Sequence, residues 1–162
     1  NEIAGRNGFG RIDVIEDRVV GIKSRECYEC PASLLLIQAH QTLESLCLDA
    51  ECLREKAKLD VDWAHAVYNG LWFSQNRMAI DAYNAYTQKY VTGEVRLKLC
   101  KGGLFVDGMR SPYSLYDYGL ATYDEGDTFD HTASKGFIEL HGLQSRTWSR
   151  VQGPGSGMQS AL

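Results

Sequence analysis

The hydrophobic pattern of this chain changes period twice, and this change constrains the fold more than any other feature. Between Pro31 and Tyr90, apolar residues recur at spacings of three and four, as in amphipathic helices. On either side, short segments alternate apolar and polar residues, as β-strands with one buried face do. Helices in the middle and two antiparallel hairpins predict an α+β fold rather than a doubly wound parallel sheet.

The strand-like segments fall into two hairpins. The alternating runs are Arg11–Ile15 with Val19–Lys23, and Glu94–Cys100 with residues 104–106. A turn is predicted at residues 16–18 in the first hairpin, and residues 101–103 carry turn chemistry in the second, which is expected to end at Gly108. Residues 1–10 contain three glycines, so they are predicted to form a loop.

Helices are predicted between the hairpins and at the end of the chain. The first helix is predicted to begin at Pro31 and to run to about Cys47. Asp49 is the predicted cap of the second helix, which has an end signal at Gly70, and Ser74 is the predicted cap of the third. A last helix is predicted from about Asp130 to Arg150. The second helix is expected to be interrupted near residues 59–62. An irregular connection is predicted over residues 111–130, and a flexible tail over residues 151–162.

Apolar residues at helical spacing define the expected core faces of the three middle helices. These faces are Leu35, Ala39, Leu43 and Leu46 in the first, Ala64, Val67, Tyr68 and Leu71 in the second, and Met78, Ala82, Tyr86 and Tyr90 in the third.

Composition argues against several classes of function. The net charge of −4 argues against a surface for nucleic acid or an anionic membrane, which requires a basic face. The longest strongly apolar run, Leu34–Ile37, is far shorter than the roughly 20 residues of a membrane-spanning helix. The odd number of cysteines, five, shows no pattern of a secreted disulfide framework and predicts a cytoplasmic protein.

Two motifs suggest chemistry that their context does not support. A dinucleotide fingerprint follows a strand and opens a helix, whereas the glycines of residues 5–10 precede a strand, so a structural loop is favoured over a phosphate cradle. Cys27 and Cys30 form a Cys-x-x-Cys motif, but the second half of a zinc pattern is missing and no metal is predicted. Redox chemistry stays open because Cys30 precedes a helix, although two unrelated thiols are favoured.

The run Asn1–Arg18, followed by Val20–Arg25 and Tyr28-Glu29, closely resembles argininosuccinate synthase. The resemblance continues in register at Ala39-His40, Val67-Tyr68 with Gly70 and Trp72, Thr92–Val95, Ser111-Pro112 with Ser114–Tyr116, Gly126-Asp127, and Gly136–Ile138. Residues 1–150 are therefore interpreted as the C-terminal synthetase domain of this family, and residues 151–162 as its tail.

The resemblance implies a ligase of arginine biosynthesis. Members of the family condense L-citrulline with L-aspartate and use Mg-bound ATP, which gives argininosuccinate, AMP and pyrophosphate. They hold ATP mainly through an N-terminal domain with a Ser-Gly-Gly-Leu-Asp-Thr-Ser loop, and this loop does not occur in the sequence. The chain is thus expected to contain no catalytic residue and to be inactive alone. A stand-alone interaction module that kept the fold and lost the chemistry is the alternative.

Two citrulline contacts of the family carry over to this chain by alignment. They fall on Glu16, near the end of the first predicted strand, and on Tyr28, just after the predicted hairpin. Family members form homotetramers, and Gln144–Arg150 with Trp148 would supply the arm that reaches a neighbouring subunit. The expected partners are therefore citrulline, the N-terminal domain and further copies of the same subunit.

Overall fold

A computed structural model of the protein describes residues 1–121 and 128–153. The chain divides into two compact units, Asn1–Tyr116 and a second unit that begins at Asp117. The family-like dipeptide Gly126-Asp127 and most of the predicted tail lie outside the described residues. Helices and two-stranded antiparallel sheets make up the fold, so the prediction of an α+β class is confirmed.

The first unit contains four helices and four strands. In chain order they are α1 (Glu2–Arg6), β1 (Arg11–Asp17), β2 (Lys23–Glu29), α2 (Pro31–Cys47), α3 (Ala50–Tyr68), α4 (Gln75–Thr87), a 3₁₀ turn at Gln88–Tyr90, β3 (Glu94–Cys100) and β4 (Gly103–Arg110). The strands form two separate sheets, β1 with β2 and β3 with β4. Both strands of the second sheet pack against α2.

The predicted starts of the three middle helices are confirmed, because each of them is fixed by a residue at that position. Pro31 begins α2, the Asp49 side chain accepts from the amide of Cys52 at 2.8 Å, and the Ser74 hydroxyl accepts from the amide of Arg77 at 3.3 Å. The expected interruption of α3 near residues 59–62 is wrong, since the helix continues to Tyr68.

Two predictions for the opening segment and the first hairpin are wrong. Residues 2–6 form the short helix α1 instead of a loop. The second strand of the hairpin covers Lys23–Glu29, whereas the predicted strand Val19–Lys23 is mostly the connecting loop. In that loop the amide of Arg18 donates to the carbonyl of Ile22 at 2.8 Å, so Val19 and Val20 project into solvent.

The predicted core face is confirmed for α2 but not for α3 and α4. Leu35, Ala39, Leu43 and Leu46 are all at least half-buried. In α4 the buried residues are instead Arg77, Ile80 and Thr87, while the expected face is exposed at Met78, Tyr86 and Tyr90. In α3, Ala66 is buried, whereas Ala64, Tyr68 and Leu71 of the expected face are exposed and only Val67 is half-buried.

A polar cluster between α3 and α4 explains the buried arginine. The Arg77 guanidinium donates to the carbonyl of Trp72 and to Asp81, and lies 4.3 Å from the centre of the Trp72 ring. Trp63 of α3 donates to the same Asp81 carboxylate at 2.8 Å. Because the cluster satisfies its own donors and acceptors, an arginine takes a core position that periodicity assigned to apolar residues.

A second buried polar cluster joins α2, α3 and the 3₁₀ turn around Glu44. The Glu44 residue is 5% exposed, and its Oε1 lies 3.2 Å from Lys56 Nζ and accepts from Gln88 Nε2 at 2.8 Å. His40 Nε2 lies 2.8 Å from Gln88 Oε1 and 3.3 Å from Glu44 Oε1. Lys56 also binds Asp60 at 2.6 Å, so the lysine has two carboxylate partners.

Within residues 117–121 and 128–153, the second unit contains three helices: α5 (Tyr118–Ala121), α6 (Ala133–His141) and α7 (Leu143–Gln152). The single helix predicted from about Asp130 to Arg150 is therefore wrong, because the chain breaks at Gly142. The ring of Phe137 stacks on that of His141 with their centres 4.9 Å apart, and Arg146 donates to the carbonyl of Glu139 at 2.5 Å. The ring contact lies within α6, whereas the hydrogen bond from Arg146 joins α7 to α6 across the break.

Candidate functional site

The β1–β2 hairpin separates its side chains onto two chemically different faces. Its register pairs Arg11 with Glu29 at one end and Asp17 with Lys23 at the other. The outer face is exposed and carries three ion pairs: Arg11–Glu29, Asp13–Arg25 and Asp17–Lys23. The inner face consists of Ile12, Val14, Glu16, Ser24, Glu26 and Tyr28, all but the last half-buried. Alternation along the strands therefore places both predicted citrulline contacts on one face.

Glu16 and Tyr28 meet directly on this inner face. The Tyr28 hydroxyl donates a hydrogen bond to Glu16 Oε1 at 2.9 Å. Tyr28 lies opposite Ile12, so Glu16 is four residues further along β1, or about 13 Å at the rise of a strand. The two side chains must therefore extend toward each other along the ribbon. The sequence analysis placed Tyr28 after the hairpin, whereas the structure places it within β2.

The electrostatics of the pair keep the phenol protonated. The hydrogen bond to Glu16 raises the pKa of Tyr28, with smaller contributions from desolvation and from the charges of Glu16 and Glu26. A phenol with a raised pKa stays a neutral donor throughout the physiological range. The pair therefore has a fixed polarity, with the tyrosine as donor and the carboxylate as acceptor.

The two carboxylates of the inner face differ in their cationic partners. Arg18 lies 3.5 Å from Glu26, whereas no lysine or arginine among residues 1–121 and 128–153 forms an ion pair with Glu16. One ionised carboxylate can accept several hydrogen bonds, and the described contacts of Glu16 use one of them. Glu16 thus retains the capacity to bind an ammonium or another cationic donor.

A third polar group, Tyr68 at the end of α3, reaches this region and was missed from the sequence. Its hydroxyl donates to the backbone carbonyl of Asp17 at 3.3 Å, next to Glu16. The Tyr68 side chain also lies close enough to raise the pKa of Tyr28 slightly. Periodicity assigned Tyr68 to a core face, and no sequence signal connects the end of α3 to the tip of a hairpin.

The opening segment offers no phosphate cradle at the following helix. Gly10 and Cys30 close the base of the hairpin, because the Cys30 amide donates to the Gly10 carbonyl at 2.9 Å. The first turn of α2 is occupied by Asn1, whose side-chain oxygen accepts from the amide of Ala32 at 2.8 Å. The glycines therefore fit the structural interpretation, since they bring the start of the chain against the start of α2.

The Cys-x-x-Cys motif is split between two environments. Cys27 lies on the outer face of β2, opposite Asp13 of β1, and Cys30 directly precedes α2. All five cysteines are free thiols. Within residues 1–121 and 128–153, no three His, Cys, Asp or Glu side chains are arranged to hold a metal ion. In the same residues, no helix has both the length and the apolar content needed to cross a bilayer.

The described part of the chain is thus an α+β fold that presents a carboxylate and a phenol side by side on a hairpin. Residues 1–148 match the family model described as the arginosuccinate synthase C-terminal domain, and the chain belongs to this family.

Relatives cover almost the whole chain at high identity. The argininosuccinate synthase of Synechococcus sp. (strain JA-3-3Ab) is 57% identical over 157 residues, which are 97% of this chain and 39% of the relative. The argininosuccinate synthase of Gloeobacter violaceus is 52% identical over 152 residues, which are 94% of this chain and 38% of the relative. The chain thus spans about two fifths of the length of the curated relatives it matches.

Proposed function

We propose that this chain is the citrulline-contacting and subunit-assembling part of an argininosuccinate synthase, an ATP-dependent ligase that joins citrulline to aspartate in the cytoplasm. The observation that carries the proposal is the Glu16–Tyr28 pair, which lies on the inner face of the first hairpin with the carboxylate free of a cationic partner in the described residues. Membership of the family supports the assignment of the reaction.

The proposed role of the pair is to bind and orient the substrate. A free amino acid carries an ammonium group, and the Glu16 carboxylate can accept charge-assisted hydrogen bonds from it. Tyr28 fixes the orientation of that carboxylate through its own hydrogen bond, and its phenol ring offers an apolar wall. The chemistry itself, in which ATP activates the ureido oxygen so that the aspartate amine can displace it, requires groups outside these residues.

ATP with its Mg²⁺ is proposed to bind mainly to an N-terminal domain. The start of α2, which follows the Gly-rich segment, is already occupied by the Asn1 side chain, and this supports a phosphate site elsewhere. Residues 1–150 would then form one functional domain that completes a citrulline site only together with the N-terminal domain.

Assembly into a homotetramer is proposed to use the exposed apolar side chains. In the second unit these include Phe137, Leu140 and Trp148, all more than half exposed. The segment Gln144–Arg150 lies within α7 and would form the arm toward a neighbouring subunit. Apolar side chains in such number on a surface are typical of an interface.

The test is a chimeric synthase in which this chain replaces the matching part of the Synechococcus relative. The unmodified chimera should make argininosuccinate. Glu16→Gln should raise the KM for citrulline about tenfold or more, because hydrogen bonds to charged groups are worth roughly 1.5–3 kcal/mol. Tyr28→Phe should raise it less, since the carboxylate remains. The KM values for ATP and aspartate should change little.

Glu29→Gln is the matched control, because Glu29 lies on the outer face of the same hairpin and pairs with Arg11. It should leave all three KM values unchanged. Unchanged citrulline KM in both Glu16→Gln and Tyr28→Phe would refute the site. An inactive but folded chimera would instead favour the non-catalytic module. Light scattering of the chimera with and without Gln144–Arg150 tests the arm.

A further inference from the structure

The described hydrogen bonds that join the first hairpin to the rest of its unit lie at its two ends. At the base, the Cys30 amide donates to Gly10 and the start of α2 follows directly. Neither β1 nor β2 packs extensively against a helix in the described part of the chain. At the far end, the Tyr68 hydroxyl donates to the carbonyl of Asp17. The hydrogen bond from α3 therefore limits how far the tip can move.

The attachment point is adjacent to the residue that the proposed function depends on. Asp17 is the last residue of β1, and Glu16 precedes it. A two-stranded ribbon held only at its base bends and twists most at its free end. Any such motion displaces Glu16, because its backbone is continuous with the carbonyl that Tyr68 holds.

Tyr68 also lies on the side of the hairpin where the pair forms. The tyrosine is close enough to Tyr28 to affect its titration, so the three groups Glu16, Tyr28 and Tyr68 share one region. The long α3 helix, which is joined to α4 through the Arg77–Asp81–Trp63 cluster, supplies a rigid base for the contact. The tip is thus tied to the helical part of the unit.

We infer that Tyr68 is a positioning residue, which holds the tip of the first hairpin so that Glu16 and Tyr28 stay aligned for the proposed citrulline contact. This inference rests on the proposed function. Tyr68 acts through Glu16 and does not itself need to touch the substrate. A phenylalanine at this position keeps the ring and the helix and removes only the donor, so the substitution isolates the hydrogen bond.

The first experiment is steady-state kinetics of Tyr68→Phe in the chimeric synthase. The KM for citrulline should rise about two- to fivefold, as expected for the loss of one exposed neutral hydrogen bond. The turnover number and the KM values for ATP and aspartate should stay within about twofold of the unmodified chimera, because the substitution leaves their sites untouched. Tyr86→Phe is the matched control, since Tyr86 is an exposed tyrosine of α4 whose ring contacts Lys89, and it should change nothing.

The second experiment is a double-mutant cycle of Tyr68→Phe with Glu16→Gln. If Tyr68 acts through Glu16, adding Tyr68→Phe to Glu16→Gln should raise the citrulline KM no further. Additive effects would overturn the inference, as would an equal rise in the KM values of all three substrates or an unchanged citrulline KM in Tyr68→Phe.

A third measurement separates this inference from the proposed function. In the chain itself, tyrosine-selective NMR titration should give a lower pKa for Tyr28 in Tyr68→Phe, because a looser tip weakens the Glu16 contact. The decrease should be clearly smaller when Tyr68→Phe is added to Glu16→Gln, where only the direct charge of Tyr68 acts on Tyr28; an equal decrease in both backgrounds counts as an unshifted Tyr28. This readout requires no substrate. A shift in Tyr28 with no kinetic effect of Glu16→Gln would refute the citrulline site and keep the positioning role, whereas an unshifted Tyr28 would refute the positioning role.

Discussion

The two hairpins of the first unit are both antiparallel and have strands of similar length, but they differ in how they pack against the rest of the unit. Both strands of β3–β4 pack on α2, and their connection is a tight turn at Lys101–Gly102. The strands of β1–β2 are joined by a longer loop at residues 18–22 and are attached at the base and at Tyr68. The second hairpin belongs to the scaffold, whereas the first presents polar side chains. A two-stranded ribbon is marginal by itself, so the difference in support decides which of the two can move.

The register of each hairpin fits its role. In β1–β2 the pairing is regular from Arg11–Glu29 to Asp17–Lys23, which keeps Glu16 and Tyr28 on one face. In β3–β4 the register shifts between Arg96 and Leu97, so that the strand bends. A bend suits a sheet that wraps around a helix, and an unbroken register suits a ribbon that must keep two side chains in line.

The largest expected effect comes from the glycines that precede the hairpins. A Cβ at Gly93 would overlap the carbonyl oxygen of Arg110 and lie 3.0 Å from Leu43 of α2. A Cβ at Gly10 would lie 2.6 Å from Pro31 Cβ. Both glycines have positive φ. Gly93→Ala should therefore cost about 3 kcal/mol or more and lower the Tm of the whole unit.

Gly10→Ala should instead release the first hairpin with a smaller loss of Tm, because no helix of the unit packs extensively against that hairpin. Thermal melting gives the loss of Tm in each variant, and hydrogen exchange resolved by residue shows which hairpin loses protection. Gly108→Ala is the control, since a Cβ added there would meet no atom within 4 Å and the φ of Gly108 is not positive. Equal loss of protection in both hairpins after Gly10→Ala would contradict the comparison.

An intermediate effect is expected in the Glu44 cluster beneath the second hairpin. Lys56→Met leaves the buried Glu44 carboxylate with only Gln88 and His40, and should cost about 2–4 kcal/mol of unfolding free energy. Glu44→Gln should cost less, because Lys56 keeps Asp60 as a partner. Urea denaturation of both variants checks the order.

The charge of Lys56 is stabilised in the folded state. Burial alone would lower the pKa of Lys56, but the hydrogen bonds to Asp60 and Glu44 and the charges of these groups outweigh it, so the pKa is raised. The contribution of this lysine is therefore complete below its unfolded pKa and is lost as the pH rises through the folded value. A larger loss of unfolding free energy in Glu44→Gln than in Lys56→Met would contradict the prediction that the unpaired Glu44 carboxylate is the costlier group.

The smallest effect is expected from acid titration of the exposed ion pairs. A hydrogen bond from Arg25 lowers the pKa of Asp13 in the first hairpin, and one from Arg110 lowers the pKa of Glu94 in the second. The stability from each pair is present above the unfolded pKa of the carboxyl and is lost as the pH falls through its lowered folded pKa.

Asp13→Asn and Glu94→Gln should therefore change the Tm only slightly near neutral pH, and not at all at a pH below both folded pKa values. Exposed pairs contribute little and are screened by salt. Melting curves of both variants at several pH values and salt concentrations give the comparison. A clear loss of Tm that persists in high salt would contradict this assignment.

Sequence reasoning succeeded where the determinants are local. The starts of α2, α3 and α4 depend on Pro31, Asp49 and Ser74, each within a few residues of its effect. The second hairpin was found because its alternation and turn are contiguous. The same reasoning failed for β2, whose sequence is mostly polar and lacks the apolar alternation by which the other strands were recognised.

The two candidate site residues were named from the sequence, but their relative geometry was not. Resemblance to the family gave Glu16 and Tyr28, whereas their hydrogen bond depends on a register that the misplaced second strand hid. The core faces of α3 and α4 failed for a related reason, since buried arginine and tryptophan partners do not follow hydrophobic periodicity. Tyr68 could not be found at all, because its contact joins α3 to a distant hairpin.

The hydrogen bond from the Gly102 amide to the Asn7 carbonyl, at 2.7 Å, has a kinetic consequence. It joins the opening segment of the chain to the turn of the second hairpin, and it is among the least local contacts of the first unit. Contacts between distant residues require the costly closure of a long loop, and a larger share of such contacts slows folding. We therefore expect the opening segment, and with it the base of the ribbon that carries Glu16, to dock after the scaffold has formed.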